Sequence, residues 1–337
     1  MKKIFVAVLA VAAMVACSTE QTIVAPQGEA IGFDTFVENS TRANDLVAGN
    51  FDFGVYGLVA KGGESALIFN DKQIAKDGTY SPAQYWIASA QYYFSAFAPY
   101  AGRAWSYDTT TAHTGTVTFD NKTAQANQDF LFAYVQPNVT PDKITSQPEA
   151  VKFTFKHMLS RVMFTFSNGF ANNSNIALEV YDVTITDAID SAKLAISEGT
   201  AAAAWKDFSA TTFSRNFGQV GNETRAHLVD AGVENGTVSA STEHFYLIPA
   251  NKAYNVTFKV DLYQAGVKLD TYERSATIPA TEMKSGMSYN IKTSLTPQNT
   301  SDDGQLYPIV FNVNGVEGWG SATDVNTTVN TPATGNN

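Results

Sequence analysis

The chain has 337 residues and a formal net charge of −10, with 44% hydrophobic, 12% aromatic and only 16% charged residues. That acidic balance argues against a grip on nucleic-acid phosphates, so no nucleic-acid partner is expected. Cys17 is the single cysteine, which excludes an intrachain disulfide and a thiolate metal cluster, so the fold must rest on its apolar cores.

The N-terminus reads as an export signal. Met1-Lys2-Lys3 is positive, residues 4–15 are apolar, and Ala16 precedes Cys17. The apolar run is too short for a bilayer core, which takes about 20 residues. Met14-Val15-Ala16-Cys17 looks like a lipobox, so residues 1–16 are expected to be removed and Cys17 acylated. Residues 17–30 are polar, include Pro26 and Gly28, and predict a lipidated tether.

Strands follow. Residues 31–37 form the first, with Ile31, Phe33 and Val37 as its apolar positions. The polar turn Asn39-Ser40-Thr41-Arg42-Ala43-Asn44-Asp45 ends it. Arg42 is the only Lys or Arg between Cys17 and Lys61, in a stretch expected to be open to a protease. Phe51, Phe53 and Val55 alternate with polar or small residues, which marks a second strand. Further strands are expected at residues 92–98, before Pro99, at 114–120, and at 130–135, before Pro137. Residues 139–149 carry Pro141 and Pro148 and few apolar side chains. The domain boundary is placed there, giving an N-terminal domain over 31–150 and a C-terminal domain over 151–319.

Val151, Phe153 and Phe155 are apolar at odd positions, whereas Val162, Phe164 and Phe166 are apolar at even ones. A strand cannot change face without an extra residue or a bend, so the chain must bulge or turn a corner at His157-Met158-Leu159-Ser160. His157 continues the odd face and is expected to be buried and bonded to backbone. Ile176, Leu178 and Val180 against Val183 and Ile185 repeat the phase change. Four consecutive alanines suggest a short helix within residues 192–205. Strands resume at 245–248, 256–262, 288–295 and 309–313. After Trp319 the tail, residues 320–337, is polar, with Val325 and Val329 its only sizeable apolar residues. Many short strands between turn signals point to an all-β fold of sandwiches.

No catalytic spacing emerges. His113, His157, His227 and His244 are scattered, no nucleophile elbow or phosphate loop is present, and Ser301-Asp302-Asp303-Gly304 lacks the acids of a calcium loop. No enzyme activity, metal or cofactor is expected. Trp86, Trp105, Tyr92 and Tyr93 suit core packing better than a glycan platform.

Several blocks in order carry a resemblance. They are the lipobox with Ile31-Gly32-Phe33, Thr41-Arg42-Ala43, Phe53-Gly54-Val55-Tyr56, and Tyr93-Phe94-Ser95-Ala96-Phe97-Ala98-Pro99-Tyr100. Then come Asp129-Phe130-Leu131-Phe132-Ala133, Phe155-Lys156-His157-Met158-Leu159-Ser160-Arg161-Val162, Gly286-Met287-Ser288-Tyr289-Asn290-Ile291 and Val310-Phe311-Asn312-Val313 with Trp319. Together they resemble the fimbrillins, the Mfa-like type V pilins of Bacteroidetes, over nearly the whole mature chain. The resemblance implies two tandem transthyretin-like β-sandwich domains and a structural subunit of a cell-surface fimbria, with adhesion as an added role. It implies a lipid anchor in the outer membrane through Cys17, and a trypsin-like, Arg-specific protease that cuts between Arg42 and Ala43. The strand with Ile31, Phe33 and Val37 would then leave, and a strand from another fimbrial subunit would replace it. That donor comes from the region holding Ile309, Phe311, Val313, Val325 and Val329. The first three suit the C-terminal framework, and residues 320–331 are the more mobile donor. The rival reading is a monomeric surface lipoprotein that binds a glycan or a host protein.

Overall fold

A computed structural model of the chain describes residues 30–37, 51–111, 114–124, 128–135, 140, 149–197, 200–202, 204–221, 223–301 and 309–318. Cys17, Arg42, Ala43, Val325 and Val329 lie outside the described residues. Every helix-or-strand element described is a strand. The first eight are β1 (Phe33–Val37), β2 (Phe53–Lys61), β3 (Glu64–Ile74), β4 (Gln91–Ala98), β5 (Trp105–Thr111), β6 (Thr114–Asp120), β7 (Leu131–Val135) and β8 (Val151–His157). Then follow β9 (Ser160–Asn168), β10 (Ile176–Ile189), β11 (Ser191–Ser197), β12 (Thr200–Ala201), β13 (Thr212–Gly218) and β14 (Leu228–Val229). The last six are β15 (Ser239–Ser241), β16 (Phe245–Leu247), β17 (Asn251–Gln264), β18 (Val267–Glu282), β19 (Met287–Leu295) and β20 (Asn312–Gly318).

Four sheets make two sandwiches. In the first, a six-stranded sheet ordered β1-β8-β7-β4-β2-β3 faces a four-stranded sheet ordered β12-β11-β6-β5. Phe97 and Phe130 on one side meet Val117, Phe119, Leu194 and Ile196 on the other. The second sandwich packs β13-β10-β17-β18 on β15-β9-β19-β20 around Phe164, Phe166, Val180, Val260, Ile291 and Phe311. Period-2 burial builds these layers: β8 buries Val151, Phe153, Phe155 and His157 and exposes the residues between.

The six-stranded sheet has a second buried face. β1 and β3 are its opposite edges, yet Phe33 on β1 lies 5.4 Å from Phe69 on β3, centroid to centroid. The sheet therefore curls until its two edges share one core, with Phe53, Phe94, Phe153 and Trp86 between them.

Both phase changes have a structural cause. At 158–160 the chain leaves the first sandwich and enters the second: Met158 N–H still bonds the Phe130 carbonyl, whereas Gly286 N–H bonds the Leu159 carbonyl. At Tyr181/Thr184 the register of β10 against β17 slips, and Asp182 takes φ 53°, which marks a bulge.

Three expectations are corrected. The boundary at residue 150 does not divide the sheets, because β8 pairs with β1 and β7 and belongs to the N-terminal unit. The expected helix in 192–205 is β11 and β12, which return to the first sandwich and pair with β6, since Ala192, Leu194 and Ile196 alternate inward. The expected strand at 309–313 starts only at Asn312, whereas His157 is buried as expected, with its Nδ1 2.7 Å from the Asp129 carboxylate.

Candidate functional site

Among the described residues, β1 has a strand neighbour on one side only. It runs parallel to β8, with Phe33 opposite Val151 and Val37 opposite Phe155. Just before it, Ile31 N–H donates to the Gln84 carbonyl at 2.8 Å, and the Ile31 carbonyl accepts from the Tyr80 hydroxyl at 2.8 Å. The Gly32 carbonyl accepts from Val151 N–H at 2.8 Å. Ile31 and Phe33 are buried, while Asp34 is exposed.

Phe33 sits in a box of five rings. Phe153 stacks on it at 5.8 Å with 11° between planes. Phe69, Tyr80, Phe94 and Phe53 meet it edge-on at 5.4, 5.6, 5.9 and 6.5 Å. Such a ring contributes about 1.5–3 kcal/mol by burial. Each well-placed aromatic pair adds about 0.5–1.5 kcal/mol.

Two glycines make the box. Gly57 lies under it on β2, where a Cβ would come within 2.7 Å of the Phe69 ring and 2.9 Å of Phe94. Gly78 has φ +80°, and a Cβ there would lie 2.7 Å from the Phe33 carbonyl oxygen. The Tyr80 phenol is pushed up from its ordinary pKa by burial, partly offset by its hydrogen bonding to Gln84 backbone, and so stays a neutral donor.

The predicted C-terminal positions fall in the second sandwich. Ile309 and Phe311 are buried, and Phe311 lies 5.7, 6.1 and 6.3 Å from Phe164, Phe166 and Phe258. Val313 is half-buried on β20, an edge strand, opposite Ile291. These three are framework residues in this state. The structure thus brings Ile31 and Phe33 together in one groove and holds Ile309 and Phe311 in another core. Sequence reading did not single out Gly57, Phe69, Gly78 or Tyr80. The alternation Leu67-x-Phe69 and the turn Gly78-Thr79-Tyr80 were the signals that pointed to them. Among the described residues, no three His, Cys, Asp or Glu converge as metal ligands.

Residues 41–306 match the model of the fimbrillin-like family. The chain belongs to that family. Two solved structures resemble this fimbrillin-like chain over most of its length. A fimbrial protein from Bacteroides vulgatus has a TM-score of 0.61 at 17% identity, covering 86% of this chain and 99% of its own. A candidate cell adhesion protein from Bacteroides ovatus has a TM-score of 0.51 at 14% identity, covering 88% and 99%. At such identities the likeness is one of fold. No curated protein matches the sequence.

Proposed function

We propose that this fimbrillin-like chain is a structural subunit of a cell-surface fimbria, assembled by strand exchange. Its precursor is acylated at Cys17 and held in the outer membrane. A trypsin-like protease cuts after Arg42, the first strand leaves, and a strand from the C-terminal region of another fimbrial subunit enters the groove. Family membership supports the fimbrial role. The observation that carries the exchange is the seating of β1. Among the described residues it is a five-residue edge strand with one ladder partner, and Phe33, the ring at its start, fills a box made by other strands and a loop.

The physics follows from that seating. Once the chain is cut on its C-terminal side, β1 is held only by side-chain burial and hydrogen bonds. Its departure exposes five rings and one edge of β8, and both are costly to leave open to water. An incoming extended segment restores ladder and burial together. Arg42→Ala tests the pathway: the protein should fold and stay monomeric. Normal filaments from that variant, with no other Lys or Arg cut, would refute the reading and leave a surface lipoprotein whose first strand is permanent.

A further inference from the structure

The groove under β1 has two seats, for Ile31 and for Phe33, two residues apart on one face of an extended segment. The second is a box of five rings. A small or aliphatic side chain there would leave much of the box unfilled, and voids are penalised by volume. The groove therefore discriminates among incoming strands by side-chain pattern as well as by backbone.

The pattern Ile-x-Phe occurs twice in the sequence, at Ile31-Gly32-Phe33 and at Ile309-Val310-Phe311. Residues 320–331 contain no aromatic residue. Two observations make the second copy of the pattern available. Residues 309–311 belong to no strand, since pairing with β19 begins at Asn312. Val310 is 63% exposed and borders an open cleft between this segment and β18, lined also by Val256, Ala276 and Pro279. Among the described residues, Phe311 sits among three rings in its own core, against five around Phe33. Within those residues, moving from one seat to the other exchanges three ring neighbours for five and adds a ladder along β8.

Resting on the strand-exchange reading, we propose that the groove selects an Ile followed two positions later by a Phe, and that residues 309–313 of a second copy of this chain supply that pair. Phe69, Tyr80 and Phe94 are then specificity-determining residues, and the polar tail is not the segment that fills the box.

The test uses the full chain cut with an Arg-specific protease, with loss of the first strand followed by intact mass. Three labelled synthetic peptides are offered: residues 307–316, the same peptide with Phe311→Ala, and residues 320–331. The first should be captured. The Phe311→Ala peptide should bind at least about tenfold more weakly, equal to 1.4 kcal/mol. The tail peptide should not exceed a scrambled control. Equal capture of the tail peptide, or no effect of Phe311→Ala, overturns the selection rule while leaving strand loss intact. A second arm needs no cleavage. Gly32→Val, Asp34→Asn and Thr35→Val together write the sequence of residues 309–313 into β1. A Cβ at Gly32 meets nothing closer than 3.4 Å. That variant should keep its Tm within about 4 °C of the parent, whereas Phe33→Ser should fall further. If the first strand never leaves the cut chain, the exchange reading fails on the mass alone, and this arm still decides the rule. A triple variant as unstable as Phe33→Ser overturns it.

Discussion

Phe33 stacks face to face on Phe153, 5.8 Å between ring centres and 11° between planes, across the parallel pair of β1 and β8. Phe153 belongs to the body of the first sandwich, and Phe33 belongs to the segment that would leave it. Phe33→Ala should therefore act on β1 first. We expect a loss of about 3–5 kcal/mol where the ring is fully seated, with the amides of β1 exchanging faster than those of β2 and β4. Hydrogen exchange by NMR or mass spectrometry reads this directly. Unchanged protection of β1 would show that the ring does not anchor it.

Gly78→Ala separates backbone strain from contact with β1. Gly62 also has positive φ, +63°, but a Cβ there meets nothing within 4 Å, so Gly62→Ala carries strain alone. At Gly78 the added carbon also approaches the Phe33 carbonyl to 2.7 Å. Thermal unfolding should show Gly78→Ala losing about 1–3 kcal/mol more than Gly62→Ala. The gap should close in protein whose first strand has been released. A gap that persists after release would mean the clash lies elsewhere.

How much of this was legible beforehand varies by residue. Ile31-x-Phe33 showed the first strand, and the odd-to-even switch between Phe155 and Val162 showed a corner at 157–160. The pattern tells which face a residue takes, not which sheet it joins. That is why β8 was assigned to the C-terminal domain, although it is the ladder partner of β1. The run of alanines at 201–204 suggested helix by propensity, whereas Ala192, Leu194 and Ile196 form a strand because β6 offers them a buried face. The assembly of the box was not readable, although local signals marked Phe69 and Tyr80. Its rings come from β2, β3, β4, β8 and the turn at Tyr80, and only the curl of the sheet brings them together.

The shared strands predict that the two sandwiches fold as one unit. β11 brings Leu194 and Ile196, and the segment after β12 brings Trp205, whose indole N–H donates to the Met158 carbonyl at 2.9 Å. Arg215 on β13 donates to the Asn121 carbonyl, and burial lowers its pKa from the ordinary value. A chain ending after His157 would lack all of these and should show no cooperative unfolding by circular dichroism. The full chain should unfold in one transition. An independently folded 31–157 fragment would contradict the interlocked arrangement.

Acid should weaken the second sandwich through Asp230 and Asp261. Burial raises the pKa of both. At Asp230 the N–H groups of Gly232 and Asn173 and the Ser174 hydroxyl outweigh it, and at Asp261 Lys268, Thr271 and Tyr181 do. Both end below the usual carboxylate range. A carboxylate with a lowered folded pKa stabilises the fold above its unfolded value of about 3.9 and loses that contribution as pH falls through the folded pKa. Tm should therefore drop on acidification below about pH 4. Asp230→Asn should lower Tm at neutral pH and flatten the acid limb. An unchanged slope would assign acid sensitivity to other groups.

The most direct measurement is the N-terminal residue of subunits taken from purified surface filaments, read together with their peptide map. The account predicts Ala43 as the first residue and no peptide containing Phe33. Filament subunits that begin at acylated Cys17 and retain the Phe33 peptide would contradict it.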